Sequence, residues 1–195
     1  MAKLNIYAIL IVLYLFSATQ INSRKIGDEI DELELNHLCL KNEKLAKIQF
    51  YAQDVLGGPN ATVHEVARAA VSTDALLSFG KVFVIDDIIT AGPSPDTEAL
   101  GKAQGIISSA DMANVAMAMS YNIAFTSGEY NGSSLSVAGR NEVAEERRRL
   151  AVVGGTGVFR FARGYVVQGT YSTAVGEDSS LYTVIEYTIY STYCP

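Results

Sequence analysis

A carboxylate at the end of an apolar face is the first chemical lead in this sequence. Ile48, Phe50, Ala52 and Asp54 share one side of a two-residue alternation, while Gln49, Tyr51 and Gln53 take the other. If the strand runs that far, Asp54 points inward, where desolvation favours its neutral form and suits it to general acid or base work. The competing reading makes Asp54 the start of a turn through Gly57, Gly58, Pro59 and Asn60. The same parity sets Asn141 on the face of Leu135, Val137 and Gly139, and puts Arg148 in line with Leu150 and Val152. An inward Arg could hold an anionic oxygen, or pair with Asp54 and keep it ionised; an inward Asn could hydrogen-bond a substrate hydroxyl. Against this, Glu145, Glu146, Arg147, Arg148 and Arg149 read equally well as a solvated charged loop. Asp86 and Asp87 close another apolar run and read as caps, and Asp111 reads as a turn or edge residue.

Other constellations carry less. Gly154, Gly155, Thr156 and Gly157 precede Val158, Phe159, Arg160 and Phe161, which look like a strand, whereas a phosphate loop needs a helix there. The glycines are expected to form a tight turn between two strands. His37 and His64 lie in polar segments with no Gly-x-Ser-x-Gly elbow nearby, and read as surface histidines rather than members of a nucleophile triad. Two His and two Cys are too few for a zinc framework, so no structural metal is expected.

The elements that must position these groups follow from composition and pattern. The chain has 195 residues, 49% hydrophobic and 18% charged, enough for one sizeable core. Its net charge of −6 lacks the positive field that phosphate backbones require, which argues against nucleic acid as a partner. Lys3, an apolar run over residues 4–16 and small polar residues before Arg24 follow the order of a secretory signal. That run is too short to span a bilayer. The expected organisation is a signal peptide over 1–23, a flexible polar lead over 24–46 and one folded domain over 47–195.

Secretion places Cys39 and Cys194 in an oxidising compartment, where an even thiol count points to a Cys39–Cys194 disulfide. For so long a loop, chain-entropy reasoning gives roughly 5 kcal/mol as an upper figure. A catalytic thiol is the alternative. Asn60 and Asn131 begin Asn-x-Ser/Thr acceptors beside turn residues, where a glycan could stay in solvent.

From Lys47 onward, short alternating runs are separated by Gly, Pro, Asn, Asp and Ser. Strands are expected over 48–52, 81–85, 104–107, 115–125, 134–138, 150–153, 158–171 and 181–190, with a bend at Gly164. Residues 110–121 and 141–149 have compositions a helix could use, but the regular spacing around them favours an all-β sandwich or barrel.

Several ordered motifs then make the chain resemble the plant dirigent family. They are Phe50-Tyr51-Ala52-Gln53-Asp54-Val55-Leu56-Gly57-Gly58, Gly101-Lys102-Ala103-Gln104-Gly105 and the segment from Glu129 to Val137. Gly139-Arg140-Asn141, the Val152 to Gly157 turn and Phe159 to Tyr165 complete the set. The resemblance runs from about Lys47 to Tyr190. It implies an eight-stranded antiparallel β-barrel, usually a homotrimer, secreted to the apoplast, often glycosylated and closed by an N-to-C disulfide.

Family members bind phenolic radicals or quinone methides in the barrel and need no cofactor. Some direct stereoselective coupling of monolignol radicals supplied by a separate oxidase, a laccase or peroxidase, without oxidising anything themselves. Others, the pterocarpan synthases, dehydrate an isoflavanol through a quinone methide. A third role in keeping with the sequence is a cell-wall structural or binding protein. By resemblance, Asp54 matches the family's cavity Asp and Arg148 its cavity Arg. Asn141 stands where lignan-forming members carry a second Asp, and Ser108 and Ser109 stand where those members place aromatic residues. Ile88 replaces a common proline. The departures at Asn141, Ser108 and Ser109 point away from pinoresinol-type coupling and resemble another, larger branch of the family, whereas that at Ile88 is a structural difference only.

Overall fold

The computed structural model describes residues 43–193. The expected signal peptide, most of the expected polar lead and both members of the expected Cys39–Cys194 disulfide lie outside the described residues, as does His37.

Nine strands follow one another in chain order: β1 (Lys44–Leu56), β2 (Val63–Arg68), β3 (Lys81–Thr90), β4 (Ala99–Ser109) and β5 (Ala116–Phe125), then β6 (Ser134–Glu142), β7 (Arg148–Thr156), β8 (Gly164–Val175) and β9 (Leu181–Tyr193). They form a closed barrel in which β9 returns to pair with β1 along its whole length, from Lys44 opposite Tyr193 to Leu56 opposite Leu181. Closure removes the open edge that would otherwise invite pairing with another chain.

Eight strands were expected and nine are present, for a local reason. The final residues of β3 pair with β1, in the register Tyr51 to Thr90, Ala52 to Ile89 and Gln53 to Ile88. Its first half, from Lys81 to Ile85, pairs with β2 instead. Two short partners therefore share one place in the ring. The chain leaves β1 through Gly57 and Gly58, both left-handed with φ of 78° and 74°, a conformation that favours glycine. Strand β2 was absent from the sequence reading because only Val63 in it is buried; its other five residues are exposed and show no alternation.

Several boundaries also differ. Strand β1 starts at Lys44, four residues earlier than expected, since Ala46 already faces the core and pairs with Ser191. The candidate helices are absent: residues 116–125 form β5, and 141–149 hold the end of β6, a turn and the start of β7. The expected strand over 158–171 is interrupted by a 3-10 turn at Gly157–Phe159, and Gly164 opens β8 rather than bending it. A Cβ at Gly164 would stand 2.0 Å from the Tyr190 carbonyl oxygen, so the neighbouring strand demands glycine.

Alternate residues of each strand fill the interior. Phe50, Ile89, Ile123, Leu135, Val166 and Ile189 are fully buried there. At one rim, Phe125, Tyr130, Phe159 and Tyr193 pack as an aromatic cluster with ring centroids 4.9 to 6.2 Å apart. Phe50 stacks on Tyr187 at 5.0 Å and 13°, deep in the barrel. Phe50→Ala is expected to cost about 3–5 kcal/mol in urea denaturation. Leu45→Ala, at a position 84% exposed, should stay within about 0.5 kcal/mol of the parent.

Candidate functional site

Strands of a barrel alternate in direction, so the ends of β1, β4, β6 and β8 meet the starts of β3, β5, β7 and β9 at one rim. A cavity of about 190 Å³ opens there, opposite the aromatic cluster. Leu56, Val63, Phe83, Ile107, Met117, Met119 and Ile185 supply apolar wall, and Leu76 and Leu77 from the β2–β3 loop lean over it. Its polar lining is sparse: Asp54, Asn141, Arg148, Thr170 and Thr183.

All three side chains singled out by parity line this cavity. Asp54 follows the buried positions Ala46, Ile48, Phe50 and Ala52 on the inner face of β1. It keeps some contact with solvent through the cavity but is surrounded by packed protein on most sides, and that burial pushes its carboxyl up to about 6. Asn141 is buried near the end of β6, and its Oδ1 has no hydrogen-bond partner. Arg148, buried at the start of β7, donates from Nη1 to the Val143 carbonyl at 3.3 Å and to Thr170 Oγ1 at 3.1 Å. Its Nε has no partner, and burial lowers its affinity for the proton. The suggested pairing of Arg148 with Asp54 is not observed. The guanidinium is bonded to Val143 and Thr170, and among the described residues Asp54 has no ion-pair partner.

The sequence reading of Asp87 as a strand cap is wrong. Lys81, Phe83, Ile85, Asp87 and Ile89 all point inward, and Asp87 is only 3% exposed. Burial first, then the charge of Asp54, pushes its carboxyl up to about 8, against a hydrogen bond from Thr62 that acts the other way. The parity that found Asp54 would have found Asp87 as well. Asp86 does face outward, where Lys102 at 2.8 Å and Gln104 at 2.8 Å hold it ionised.

Tyr121, Gln168 and Tyr187 were also missed, each lying on the inward parity of an apolar strand. Gln168 Oε1 is buried without a hydrogen-bond partner, and the buried Tyr121 hydroxyl lies beside that of Tyr187. Burial raises the Tyr187 hydroxyl, and Asp87, Asp54 and Arg148 all lie near enough to act on its charge.

The remaining candidates sit elsewhere. Asp111 caps a turn, accepting from the Ala113 and Asn114 amides at 2.7 and 2.9 Å, while the Arg140 guanidinium beside it holds its carboxyl well below the usual range. His64 is exposed, 3.0 Å from the Ala61 carbonyl. The segment after Gly154 forms a 3-10 turn rather than a helix. Asn60 and Asn131 are exposed in turns.

Asp54 and Asp87, both raised by burial, contribute to the pH dependence of stability. Their protonated forms are favoured in the folded chain, so their contribution is full below about pH 4, the ordinary carboxylate range. That contribution is lost as pH rises through about 6 and about 8. Carboxylates held low, such as Asp86 and Asp111, act only under more acidic conditions. Calorimetry from pH 4.5 to 8.5 should therefore show a falling melting temperature, with a shallower upper part in Asp87→Asn.

Comparison with known proteins agrees with this architecture. The family model described as Dirigent-like protein matches residues 45–192. Dirigent protein 1 of Arabidopsis thaliana is 41% identical over 150 residues, covering 77% of this chain and 80% of that protein. Pterocarpan synthase 1 of Glycyrrhiza echinata is 39% identical over 154 residues, 78% of this chain and 80% of that protein. Among solved structures, the pterocarpan synthase dirigent protein GePTS1 superposes with a TM-score of 0.70 at 39% identity, over 77% of this chain and 86% of that one. For the pterocarpan synthase dirigent protein PsPTS1 the values are 0.71 and 37%, over 78% and 97%.

Proposed function

This chain belongs to the dirigent family, and from that membership and its cavity we propose that it binds a phenolic radical or quinone methide and directs the stereochemistry of phenoxy radical coupling. The observation that carries this reading is the small apolar cavity lined by one carboxyl without a counter-cation, one Arg and one Asn. A cavity of about 190 Å³ is below the ~300 Å³ at which ordinary ligand pockets begin, which suits one phenylpropanoid unit. With its ring inside and its side chain at the mouth, such a unit exposes one face to a second radical. The apolar wall also shields a quinone methide, a neutral electrophile that water would quench.

In this reading radicals come from a separate oxidase, and the protein itself oxidises nothing. Arg148 steadies a phenolate oxygen, Asn141 hydrogen-bonds a hydroxyl or methoxyl, and Asp54 moves a proton during ring closure. The reading extends to a secreted, glycosylated apoplastic protein cleaved near residue 23 and closed by the Cys39–Cys194 bridge. It also extends to a homotrimer, for which the exposed Val84, Ile88 and Ile106 on the outer face of β3 and β4 offer apolar contact surface.

A second reading rests on the similarity to pterocarpan synthases. There the chain would dehydrate an isoflavanol. Asp54 gives its proton to the departing hydroxyl, which leaves as water with the C–O electron pair, while the phenol's proton passes to solvent to form a quinone methide and Asp54 recovers a proton from solvent. A second phenol hydroxyl of the same molecule then adds to the methide carbon, its proton passing to the methide oxygen. A wall-binding role without turnover is the remaining alternative.

The test is a chiral product assay with coniferyl alcohol and a one-electron oxidase, with and without the purified protein. An enantiomeric excess only with the protein is expected, lost in Asp54→Asn. Arg148→Gln should weaken binding of a phenolate ligand about tenfold, the loss of one charge-assisted hydrogen bond. A racemic product would reject coniferyl coupling, and loss of water from an isoflavanol without oxidase would then establish the dehydratase. Binding to wall polymer with neither activity would establish the third role.

A further inference from the structure

We propose that Asp87 is the second member of a carboxyl pair with Asp54, set across the fork where β1 leaves β3, and that it is a positioning residue acting on the ligand through Asp54. Its consequence for ligand chemistry rests on the function proposed above; the pairing itself does not.

The register places the two residues. Strand β1 pairs with β3 as Tyr51 to Thr90, Ala52 to Ile89 and Gln53 to Ile88, so the next step sets Asp54 opposite Asp87. Both belong to the inward parity of their strands. At this step the strands part, and Thr62 enters the gap. Its carbonyl accepts from the Asp86 amide at 2.9 Å, and its own amide donates to the Val55 carbonyl at 2.8 Å. The Thr62 hydroxyl accepts from the Val55 amide at 3.0 Å and gives its single hydrogen to Asp87 Oδ1 at 2.5 Å. One side chain thus ties the residue after Asp54 to the carboxyl of Asp87, and leaves Asp87 Oδ2 as the oxygen to carry a proton.

The two acids differ in access. Asp54 lines the cavity, whereas Asp87 does not and is 3% exposed. A ligand therefore meets Asp54 alone, with Asp87 behind it. Two adjacent carboxylates cannot both ionise cheaply away from water. The surrounding groups do not relieve this. Asp86 on the same strand is turned outward to Lys102, and Tyr121 from β5 and Tyr187 from β9 are neutral hydroxyls. Arg148 from β7 is bonded to Val143 and Thr170. The pair therefore keeps one proton between its members near neutrality and titrates as a unit. Asp54 can then give up or take a proton while the pair passes between one proton and two, with no buried dianion formed.

Infrared absorption of protonated carboxyls in the full secreted protein, titrated without ligand, tests this. The parent should hold a protonated carboxyl at pH 7 and lose protons in two steps, near the values of about 6 and about 8. Asp87→Asn should abolish the upper step. Asp54→Asn should move the upper step to lower pH, because the neighbouring charge is gone, and it decides the matter even if Asp87→Asn does not fold. Thr62→Val should move the upper step to higher pH by removing a hydrogen bond to the ionised form, while Thr62→Ser leaves it in place. An upper step unmoved in Asp54→Asn, or a parent with no protonated carboxyl at pH 7, overturns the pair. If the two steps behave as stated but no phenol binds, the functional reading fails and the pair stands.

Discussion

The ladder between β1 and β9 is the contact on which everything else depends. It joins the first described strand to the last over thirteen residue pairs, from Lys44 with Tyr193 to Leu56 with Leu181. Once the sheet closes, every inward side chain loses its water at the same time. For Phe50, Ile89 and Leu135 that loss is favourable and forms the core. For Asp54, Asp87, Asn141, Arg148 and Gln168 the same loss makes ionisation costly or leaves polar atoms without partners. The chemistry of the cavity and the stability of the barrel arise from one act of closure.

The fork where β1 parts from β3 and β2 takes its place is the irregularity nearest to Asp54. A continuous β1 would have kept pairing with β3 and sealed the rim near Asp54. Instead Gly57 and Gly58 turn the chain away, and Thr62 and Val63 return beside β3. The departure opens space for the cavity and brings the β2–β3 loop, with Leu76 and Leu77, over its mouth. It also gives the two carboxyls a shared boundary, because Thr62 contacts both strands where they separate.

Polar groups left unpaired in a folded interior have a cost, and three are found here: Asn141 Oδ1, Arg148 Nε and Gln168 Oε1. Natural interiors tolerate such atoms where they serve a ligand. Asn141 and Arg148 reach the cavity directly, where a ligand hydroxyl could donate to Asn141 Oδ1 and a ligand oxygen could accept from Arg148 Nε. With Asn rather than Asp at position 141, the cavity offers the ligand one carboxyl, from Asp54.

The sequence by itself determined the place of eight strands and the all-β class, and it offered an inward direction for Asp54, Asn141 and Arg148 beside the turn and charged-loop readings, because alternation is a local property that needs only a few neighbouring residues. It also carried the family motifs. It did not show β2, whose single buried residue leaves no periodic trace. It misread Asp87, since two adjacent acids after an apolar run look like a cap unless parity is followed through them. Only the tertiary structure decided that Arg148 bonds Val143 and Thr170 rather than Asp54, and that Asp54 and Asp87 share a boundary. Those outcomes depend on distances between strands far apart in the chain and on the water excluded between them, which no local pattern encodes.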